Sequence, residues 1–266
     1  MLKIRSIGVA VLLVLGGSTL FASELNCGKT AGNLEDFRYS WRLRGGLSWI
    51  AGLIIPTWGS GQLLTTFPSP GRDAISSQLL ITAPAGRSGG FFEYETEMDG
   101  AGQKTLMSSN GYAWGSKVRA ETARFDYERR VARIRKETPE KVENKIKPIP
   151  EGQLRDVLSA IYFLRQNAGR ITRPLLTQIY SDGKEYPVVF RPIEKKTFDF
   201  DGRRVSALGF EIVDAPGGKK WPGSVKIYVS EDARRIPFRI EIVRSLASVE
   251  LKLQSVEACG FMQASK

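Results

Sequence analysis

Few residues in this sequence have the type and spacing that catalysis requires. Ser159 follows Asp156 by three positions, and a hydroxyl beside a carboxylate is part of some nucleophilic sites. The chain contains no histidine, however, so Ser-His and Cys-His nucleophile systems are excluded, and so is the commonest metal ligand. We therefore predict that the protein is not an enzyme and that it holds neither a metal nor a cofactor.

A row of carboxylates is the remaining candidate for chemistry. Glu93, Glu95 and Glu97 alternate with other residues, so they share one face of a predicted strand. Such a row could supply an acid–base pair or oxygen ligands for a cation. A solvated strand face, paired with lysines of a neighbouring strand, explains the same pattern and is the interpretation that we favour.

The composition is that of a globular protein with a basic surface. The chain has 266 residues, of which 42% are hydrophobic and 25% charged, and its net charge is +11. This charge is spread along the chain rather than gathered in one block. It would attract anionic surfaces such as lipid headgroups, lipopolysaccharide phosphates or acidic glycans, although it would also simply favour solubility. We predict no nucleic-acid partner.

The N-terminal segment has the order of a secretory signal peptide. A basic start at Lys3 is followed by an apolar run up to Leu20 and by small residues at Ala22 and beyond. The run is shorter than a typical membrane span, although an uncleaved anchor is the alternative. We predict a signal peptide over residues 1–22, a periplasmic mature chain over residues 23–266, and no transmembrane span in the mature chain.

The chain has two cysteines, Cys27 and Cys259, near the two ends of the mature sequence. In an oxidising compartment two thiols tend to pair. A disulfide between them would close a very long loop and restrict the unfolded chain strongly. We predict this disulfide, with two unrelated thiols as the alternative.

Alternating patterns predict strands through most of the chain. Phe37, Tyr39 and Trp41 alternate with polar and basic residues, which is typical of a half-buried strand with one aromatic face. Asp201-Gly202 lies between two such runs and predicts a hairpin turn. The last three predicted strands are close in sequence and indicate an antiparallel meander. Residues 45–90 are rich in glycine, proline and serine, and predict long loops around short strands.

One segment has helical spacing instead. Apolar residues recur at Leu154, Val157, Leu158, Ile161 and Leu164. We therefore predict a mainly β protein: a single antiparallel curved sheet or open barrel, with one amphipathic helix at about residues 154–166 packed on it.

Two stretches of the sequence, residues 151–165 and 228–241, contain recognisable motifs. The motif residues are Asp156, Leu158, Ser159, Ala160, Tyr162 and Arg165 in the first stretch, and Asp232, Ala233, Arg234, Arg235, Ile236 and Pro237 in the second. Together the two stretches resemble a bacterial family called domain of unknown function 3108, and the good match runs from about residue 118 to residue 256. The resemblance implies an exported, β-rich envelope protein with one helix, and it implies no reaction.

The arginines of these motifs allow two interpretations. A structural network joining helix to hairpin would pair Arg165 with an acidic residue, and Arg235 with backbone carbonyls or Asp156. Alternatively, Arg165 and Arg235 would bind a carboxylate or phosphate of a ligand through their planar guanidinium groups. The other motif residues are predicted to be structural.

Tryptophans offer a second candidate surface. Trp41, Trp49 and Trp58 fall in or beside the loop-rich region and could line an apolar cleft or stack on sugars, whereas core filling is the plainer account of any one of them.

Two functions of different classes follow. The first is a non-enzymatic binding protein for an amphipathic or anionic envelope ligand, a lipid, lipopolysaccharide or glycan, held between sheet and helix. The second is a structural or protein-interaction module of the cell envelope, with an envelope protein as its partner.

Overall fold

The computed structural model describes residues 33–45, 57–84, 90–114, 117–181, 183–221, 224–243 and 248–258. The predicted signal peptide (residues 1–22), both cysteines of the predicted disulfide (Cys27 and Cys259) and Trp49 lie outside the described residues.

The described residues form one sheet and one helix. The first eight strands are β1 (Leu34–Arg44), β2 (Trp58–Thr66), β3 (Ile75–Thr82), β4 (Gly90–Met98), β5 (Thr105–Trp114), β6 (Lys117–Asp126), β7 (Val131–Glu137) and β8 (Val142–Pro148). Helix α1 (Val157–Asn167) follows. The remaining strands are β9 (Leu175–Ser181), β10 (Lys184–Phe200), β11 (Arg203–Asp214), β12 (Ser224–Ser230), β13 (Pro237–Val243) and β14 (Ser248–Ala258).

All fourteen strands of the described chain belong to a single antiparallel sheet. One meander runs from β1 to β8 and a second from β9 to β14, and the two are joined where β1 pairs with β14. Strands β8 and β9 are the two edges, so the sheet does not close, and helix α1 lies between them in the sequence. The prediction of a mainly β protein, with a curved sheet or open barrel and one helix, is confirmed.

The alternation on β1 defines the two faces of the sheet. Phe37, Tyr39 and Trp41 are buried on the inner face, whereas Arg38 and Arg42 are exposed on the outer face. The inner face of the neighbouring strands continues this core, which also contains the apolar residues of α1. Burial of this continuous apolar face is the main favourable contribution to folding.

A close approach of β2 to β1 explains one glycine of the loop-rich region. Gly59 pairs with Trp41, and a Cβ atom at Gly59 would lie 2.5 Å from Trp41 Nε1 and 2.1 Å from the carbonyl oxygen of Thr82. Trp41 Nε1 donates a hydrogen bond of 2.9 Å to that same carbonyl. Only glycine leaves room for the indole to reach its acceptor.

The region 45–90 corrects the sequence-based expectation. Two full strands cross it, β2 with nine residues and β3 with eight, where long loops around short strands were expected. Small and polar residues such as Thr65 and Ser77 occupy inner positions there and bond to each other at 3.2 Å. They weaken the apolar alternation, so pairing with β1 and β4, rather than local propensity, makes these segments strands.

Three other strands carry little sequence signal. They are β5, β8 and β9, and the alternating patterns do not predict them. Strand β10 is continuous through a register shift between Ile193 and Lys196. The hairpin turn at Asp201-Gly202 is confirmed, with φ angles of 51° and 69° at its two residues.

Helix α1 begins one turn later than the predicted helix. Its N-cap is Asp156, whose side chain accepts a hydrogen bond from the Ser159 backbone, while the Ser159 side chain bonds the Asp156 backbone in return. Such a reciprocal capping box satisfies two of the amide groups left free at a helix start. The described chain contains no helix that is both long and apolar enough to cross a membrane.

The two edge strands, β8 and β9, do not pair with each other, but isolated contacts connect the two edge regions of the sheet. Arg155 forms a single parallel bridge with Ile179 of β9, just before the helix begins. Tyr180 of β9 packs edge-on against Phe125 of β6, with ring centroids 5.0 Å apart. Lys147 of β8 also donates a 2.7 Å hydrogen bond to the carbonyl of residue 183. These three contacts, one of them from the segment before α1, therefore join the two edge regions of the sheet.

Candidate functional site

A buried polar network surrounds the N terminus of α1. The Asp156 carboxylate accepts hydrogen bonds from the Ser159 backbone at 2.8 Å and from the Thr96 hydroxyl, and the hydroxyls of Thr105 and Ser159 lie 2.7 Å apart. Burial raises the pKa of Asp156, although the hydroxyl of Ser108 and these same donors oppose the shift. Every polar group of this network has a partner within the network, so its geometry positions the helix.

The last turn of α1 carries a second buried network around Arg165. Its guanidinium makes a two-pronged pair with Glu35, with both N–O distances at 2.9 Å, and it also donates to the backbone carbonyls of Arg235 and Arg234. The Arg165 side chain is 1% exposed. Burial alone would lower its pKa, but the Glu35 carboxylate outweighs burial, and the pKa of Arg165 is raised.

The C-terminal end of α1 packs against the hairpin turn between β12 and β13. Arg235, which has a φ of 49°, donates to the carbonyls of Ser230 and Glu231 at 3.2 and 2.7 Å. Asp232 pairs with Arg234 at 3.0 Å, and the carbonyl of Pro237 accepts a hydrogen bond from a β1 tyrosine. The two motif stretches therefore meet around Arg165, and any ligand would have to displace Glu35 to reach that guanidinium.

Tyr162 holds α1 against the β4–β5 turn. Its ring is buried against Phe67, with centroids 6.3 Å apart, and a Cβ atom at Gly102 would lie 2.3 Å from the tyrosine ring. Gly102 has a φ of +67°, so both its conformation and the contact with Tyr162 favour glycine.

The structure places the two described tryptophans of the predicted surface, Trp41 and Trp58, on opposite faces of the sheet. Trp41 is a core residue, whereas Trp58 is 61% exposed on the outer face and pairs with Arg42 across the β1–β2 ladder.

The predicted carboxylate row, Glu93, Glu95 and Glu97, lies on β4. Glu93 accepts a 2.6 Å hydrogen bond from Gln78, and no group of three potential metal ligands occurs among the described residues.

A groove on the outer face, next to Arg42, is the most distinctive charged surface of this region. It has a volume of about 370 Å³ and runs over β1, β14 and β13. One wall is Phe198 of β10, whose ring stacks on Phe238 with centroids 5.9 Å apart. We call it the basic groove, and its lining residues are Ser40, Arg42, Arg44, Phe198, Arg239, Glu250, Lys252 and Gln254.

Charge within the basic groove is unbalanced. Glu250 is its single carboxylate, and its two oxygens are taken by Arg239 at 2.6 Å and Arg44 at 3.5 Å. No carboxylate among the described residues pairs with Arg42 or Lys252. The Arg239 Nε atom is buried without a hydrogen-bond acceptor in the described part of the chain. Glu241 lies beside the groove, 3.6 Å from Arg239, so two carboxylates face the four cations Arg42, Arg44, Arg239 and Lys252. The remaining positive charge favours an anion.

Sequence reasoning had found only part of this groove. The basic outer face of β1 was predicted, but Arg239 and Lys252 were not recognised as its neighbours. They reach it because Lys252 pairs with Ser40 on one side and with Arg239 on the other. The alternating basic residues of the last strands were the available signal, and the β1–β14 pairing that assembles them spans almost the whole chain.

The fold and groove together define a class: an open, β-barrel-like antiparallel sheet with a helix on its inner face and a basic groove on its outer face. A family model described as "Protein of unknown function (DUF3108)" matches residues 77–254. Because this match covers more than half of the sequence, the chain belongs to the DUF3108 family.

Of two solved structures that match this chain, one shows a related fold in a protein that is distant in sequence. A β-barrel-like protein of domain of unknown function DUF1849 from Brucella abortus is 10% identical, with a TM-score of 0.58, over 85% of this chain and 98% of that one. A DUF1329 family protein from Desulfovibrio piger is 8% identical over 86% of each chain, with a TM-score of 0.24. No curated protein matches this chain. At these identities, the Brucella similarity concerns the fold alone.

Proposed function

We propose that this protein is a non-enzymatic binding protein of the periplasm, whose basic groove holds the anionic group of an amphipathic or anionic envelope ligand. The observation that carries the proposal is the excess of cations in the groove, where Arg42 and Lys252 have no carboxylate partner among the described residues. The ligand class is a lipid, a lipopolysaccharide or a glycan that carries phosphate or carboxylate.

The groove has the chemistry for such a ligand. Arginine presents planar donors that match the oxygens of phosphate and carboxylate, and Lys252 adds a compact positive charge. Phe198 within the groove provides apolar surface suited to a sugar face or an acyl chain, and so does the exposed ring of Trp58, which lies outside the groove and pairs with Arg42 across the β1–β2 ladder. Its volume of about 370 Å³ lies within the ordinary range of small-ligand sites.

The position of the groove differs from the one expected from sequence. A ligand between sheet and helix was expected, but that space contains the packed core and the residues of α1. Arg165, buried there, is bound by Glu35. The outer face is therefore the better place for a ligand. The signal-like N terminus supports a periplasmic setting.

The first experiment is native mass spectrometry of the mature protein purified from its own periplasm, followed by extraction of bound molecules. A co-purifying anionic lipid or glycan is expected. A protein that is purified without ligand, and that stays so after incubation with envelope lipids and glycans, would contradict the proposal.

A charge-matched pair of variants locates the site. Arg42→Gln/Lys252→Gln removes two positive charges from the groove, and Arg133→Gln/Lys220→Gln removes two exposed charges elsewhere. Loss of binding in the first variant only is expected. Equal loss in both would show that net charge, rather than the groove, attracts the ligand.

A second candidate function is supported by the edge strand β8. Ile146 and Val142 on this strand are 71% and 53% exposed, and an exposed apolar sheet edge is a common docking surface for another protein. This observation favours an envelope protein-interaction module. Site-specific crosslinking from position 146 in cells, with the exposed position 220 as the control, would reveal such a partner, and equal crosslinking from both positions would count against it.

A further inference from the structure

A second buried arginine lies at the other end of the helix segment. Arg155 immediately precedes the N-cap and is 6% exposed. Its Nη1 donates to the Thr177 hydroxyl at 3.0 Å and its Nη2 to the Gln153 amide oxygen at 2.8 Å. Its guanidinium lies over the ring of Phe163, 3.8 Å from the ring centroid.

None of these partners carries a negative charge. Within the described ranges no carboxylate forms an ion pair with Arg155, and its Nε atom is buried without a hydrogen-bond acceptor. Burial lowers the pKa of Arg155, the opposite direction from the shift of Arg165. Proteins rarely bury an arginine without an anionic partner, because the loss of hydration is then only partly compensated.

This arginine lines a cleft that opens to solvent. The cleft has a volume of about 390 Å³ and lies between β9, β10 and the segment before the helix. Leu176, on its rim, is 67% exposed. Glu151, also on the rim, pairs with Arg130 at 2.8 Å and so is directed toward another cation. We call it the Arg155 cleft, and it is lined by Glu151, Gln153, Arg155, Leu176, Thr177, Gln178 and Pro187.

We propose that the Arg155 cleft binds a single carboxylate at the end of an apolar chain, as in a fatty acid. The two oxygens of the ligand carboxylate accept hydrogen bonds from Nε and Nη2 of Arg155. The ligand thereby displaces the exposed Gln153 amide, whose oxygen now accepts from Nη2. A charged acceptor makes a stronger bond to guanidinium than a neutral amide does. The chain of the ligand lies along Leu176 and Pro187.

The charge of the cleft selects this ligand class over a polyanion. Arg155 is the single cation among its lining residues, and Glu151 at the rim disfavours a second negative charge. The basic groove, by contrast, has four cations and suits more highly charged ligands. The two sites share no residue, so this proposal does not rest on the function proposed for the groove.

The test compares decanoate with decanol on the full mature protein, by isothermal titration calorimetry below micelle-forming concentrations. One equivalent of decanoate is expected to bind about ten-fold or more tighter than decanol, because only the carboxylate pairs with the guanidinium. Equal affinity for the two molecules, or no binding of decanoate, overturns the proposal.

Leu176 and Ile146 are both exposed aliphatic residues on edge strands, so their substitution provides a matched pair of variants. Leu176→Asp places a negative charge and removes apolar surface at the cleft, whereas Ile146→Asp makes the same type of change on β8. Decanoate affinity is expected to fall about ten-fold or more in the first variant and to stay within about two-fold in the second. An unchanged affinity in Leu176→Asp would overturn the proposal.

Arg155→Lys tests the geometry while keeping the charge. Lysine cannot offer two parallel donors, so the affinity for decanoate is expected to fall about ten-fold. Thermal unfolding of the same variant shows whether it is folded. The surface variant Arg133→Gln/Lys220→Gln, whose changes lie outside both sites, is expected to bind decanoate as the wild type does. Loss of decanoate binding in the groove variant Arg42→Gln/Lys252→Gln, with retention in Arg155→Lys, would assign the carboxylate to the other site.

Discussion

Two arginines lie buried near the two ends of the same short helix, Arg155 just before its N-cap and Arg165 in its last turn, and their surroundings are opposite in kind. Arg165 is 1% exposed and makes a two-pronged ion pair with Glu35, together with two backbone carbonyls. Arg155 is 6% exposed, and its contacts are a hydroxyl, an amide oxygen and an aromatic ring. The two residues are of the same type and are buried to a similar extent. They differ in that a carboxylate neutralises the charge of Arg165, whereas, among the described residues, only neutral groups contact Arg155.

The comparison separates a structural role from a binding role. The charge of Arg165 is neutralised within the chain, by a strand far away in sequence, so it holds helix, β1 and the β12–β13 turn together. The charge of Arg155 is met only by neutral acceptors beside a cleft. A buried charge of the first kind stabilises one arrangement of the chain, whereas one of the second kind can still gain by meeting an anion from outside.

The largest expected effect comes from breaking the compensated pair. Glu35→Gln leaves Arg165 buried without its anion, and we expect the free energy of unfolding to fall by about 3–5 kcal/mol. Urea unfolding, followed by circular dichroism, measures this change.

The double variant Glu35→Gln/Arg165→Met is the control for this prediction. It removes both charges, and we expect it to recover a large part of the loss because no unpaired buried charge remains. A Glu35→Gln protein as stable as the wild type would show that the pair contributes little and would weaken the comparison.

A smaller effect is expected from the carboxyl group that lies between the two arginines in sequence. The pKa of Asp156 is raised by burial, so the folded state binds this proton more tightly than the unfolded state does. Stability from this group is therefore fully present below the unfolded pKa and is lost as pH rises through the raised pKa. The slope cannot exceed about 1.4 kcal/mol per pH unit for one group.

Asp156→Asn removes this titration and keeps a good N-cap residue. We expect the stability difference, variant minus wild type, to increase as pH rises from acid toward neutral. Urea unfolding at several pH values measures it. A difference that is constant with pH would mean that Asp156 titrates alike in both states.

Much of the fold was predictable because its signal is local. The aromatic alternation of β1, the two-residue turn at Asp201-Gly202 and the helical spacing around Leu158 each predict an element that the structure contains. Strand β2 was missed because Gly59, Gly61 and Thr65 occupy three of its four inner positions, and β8 because its residues are almost all exposed. Their strand conformation comes from pairing with neighbours that no local window contains.

The sites were harder to predict, since each depends on residues brought together over long distances in sequence. Glu35 and Arg165 are 130 residues apart, and nothing near either one identifies its partner. Arg155 was not singled out, because its sequence neighbours Gln153 and Asp156 suggest an ordinary polar helix start. The packing of β9 and of Phe163 against this segment buries it, and its Nε is left without an acceptor in the described part of the chain.

The smallest expected effect is also the one that tests the comparison most directly. In Arg155→Met the helix segment loses two hydrogen bonds to neutral, partly accessible groups, but the cost of burying a charge disappears with them. We therefore expect the free energy of unfolding to change by no more than about 1 kcal/mol. In Arg165→Met, where Glu35 is left buried and alone, we expect a loss of about 3 kcal/mol or more. Urea unfolding of both variants under one condition measures the contrast. Equal losses would mean that Arg155 is as much a part of the structural framework as Arg165, and the argument for an outside anion at the Arg155 cleft would then lose its physical basis.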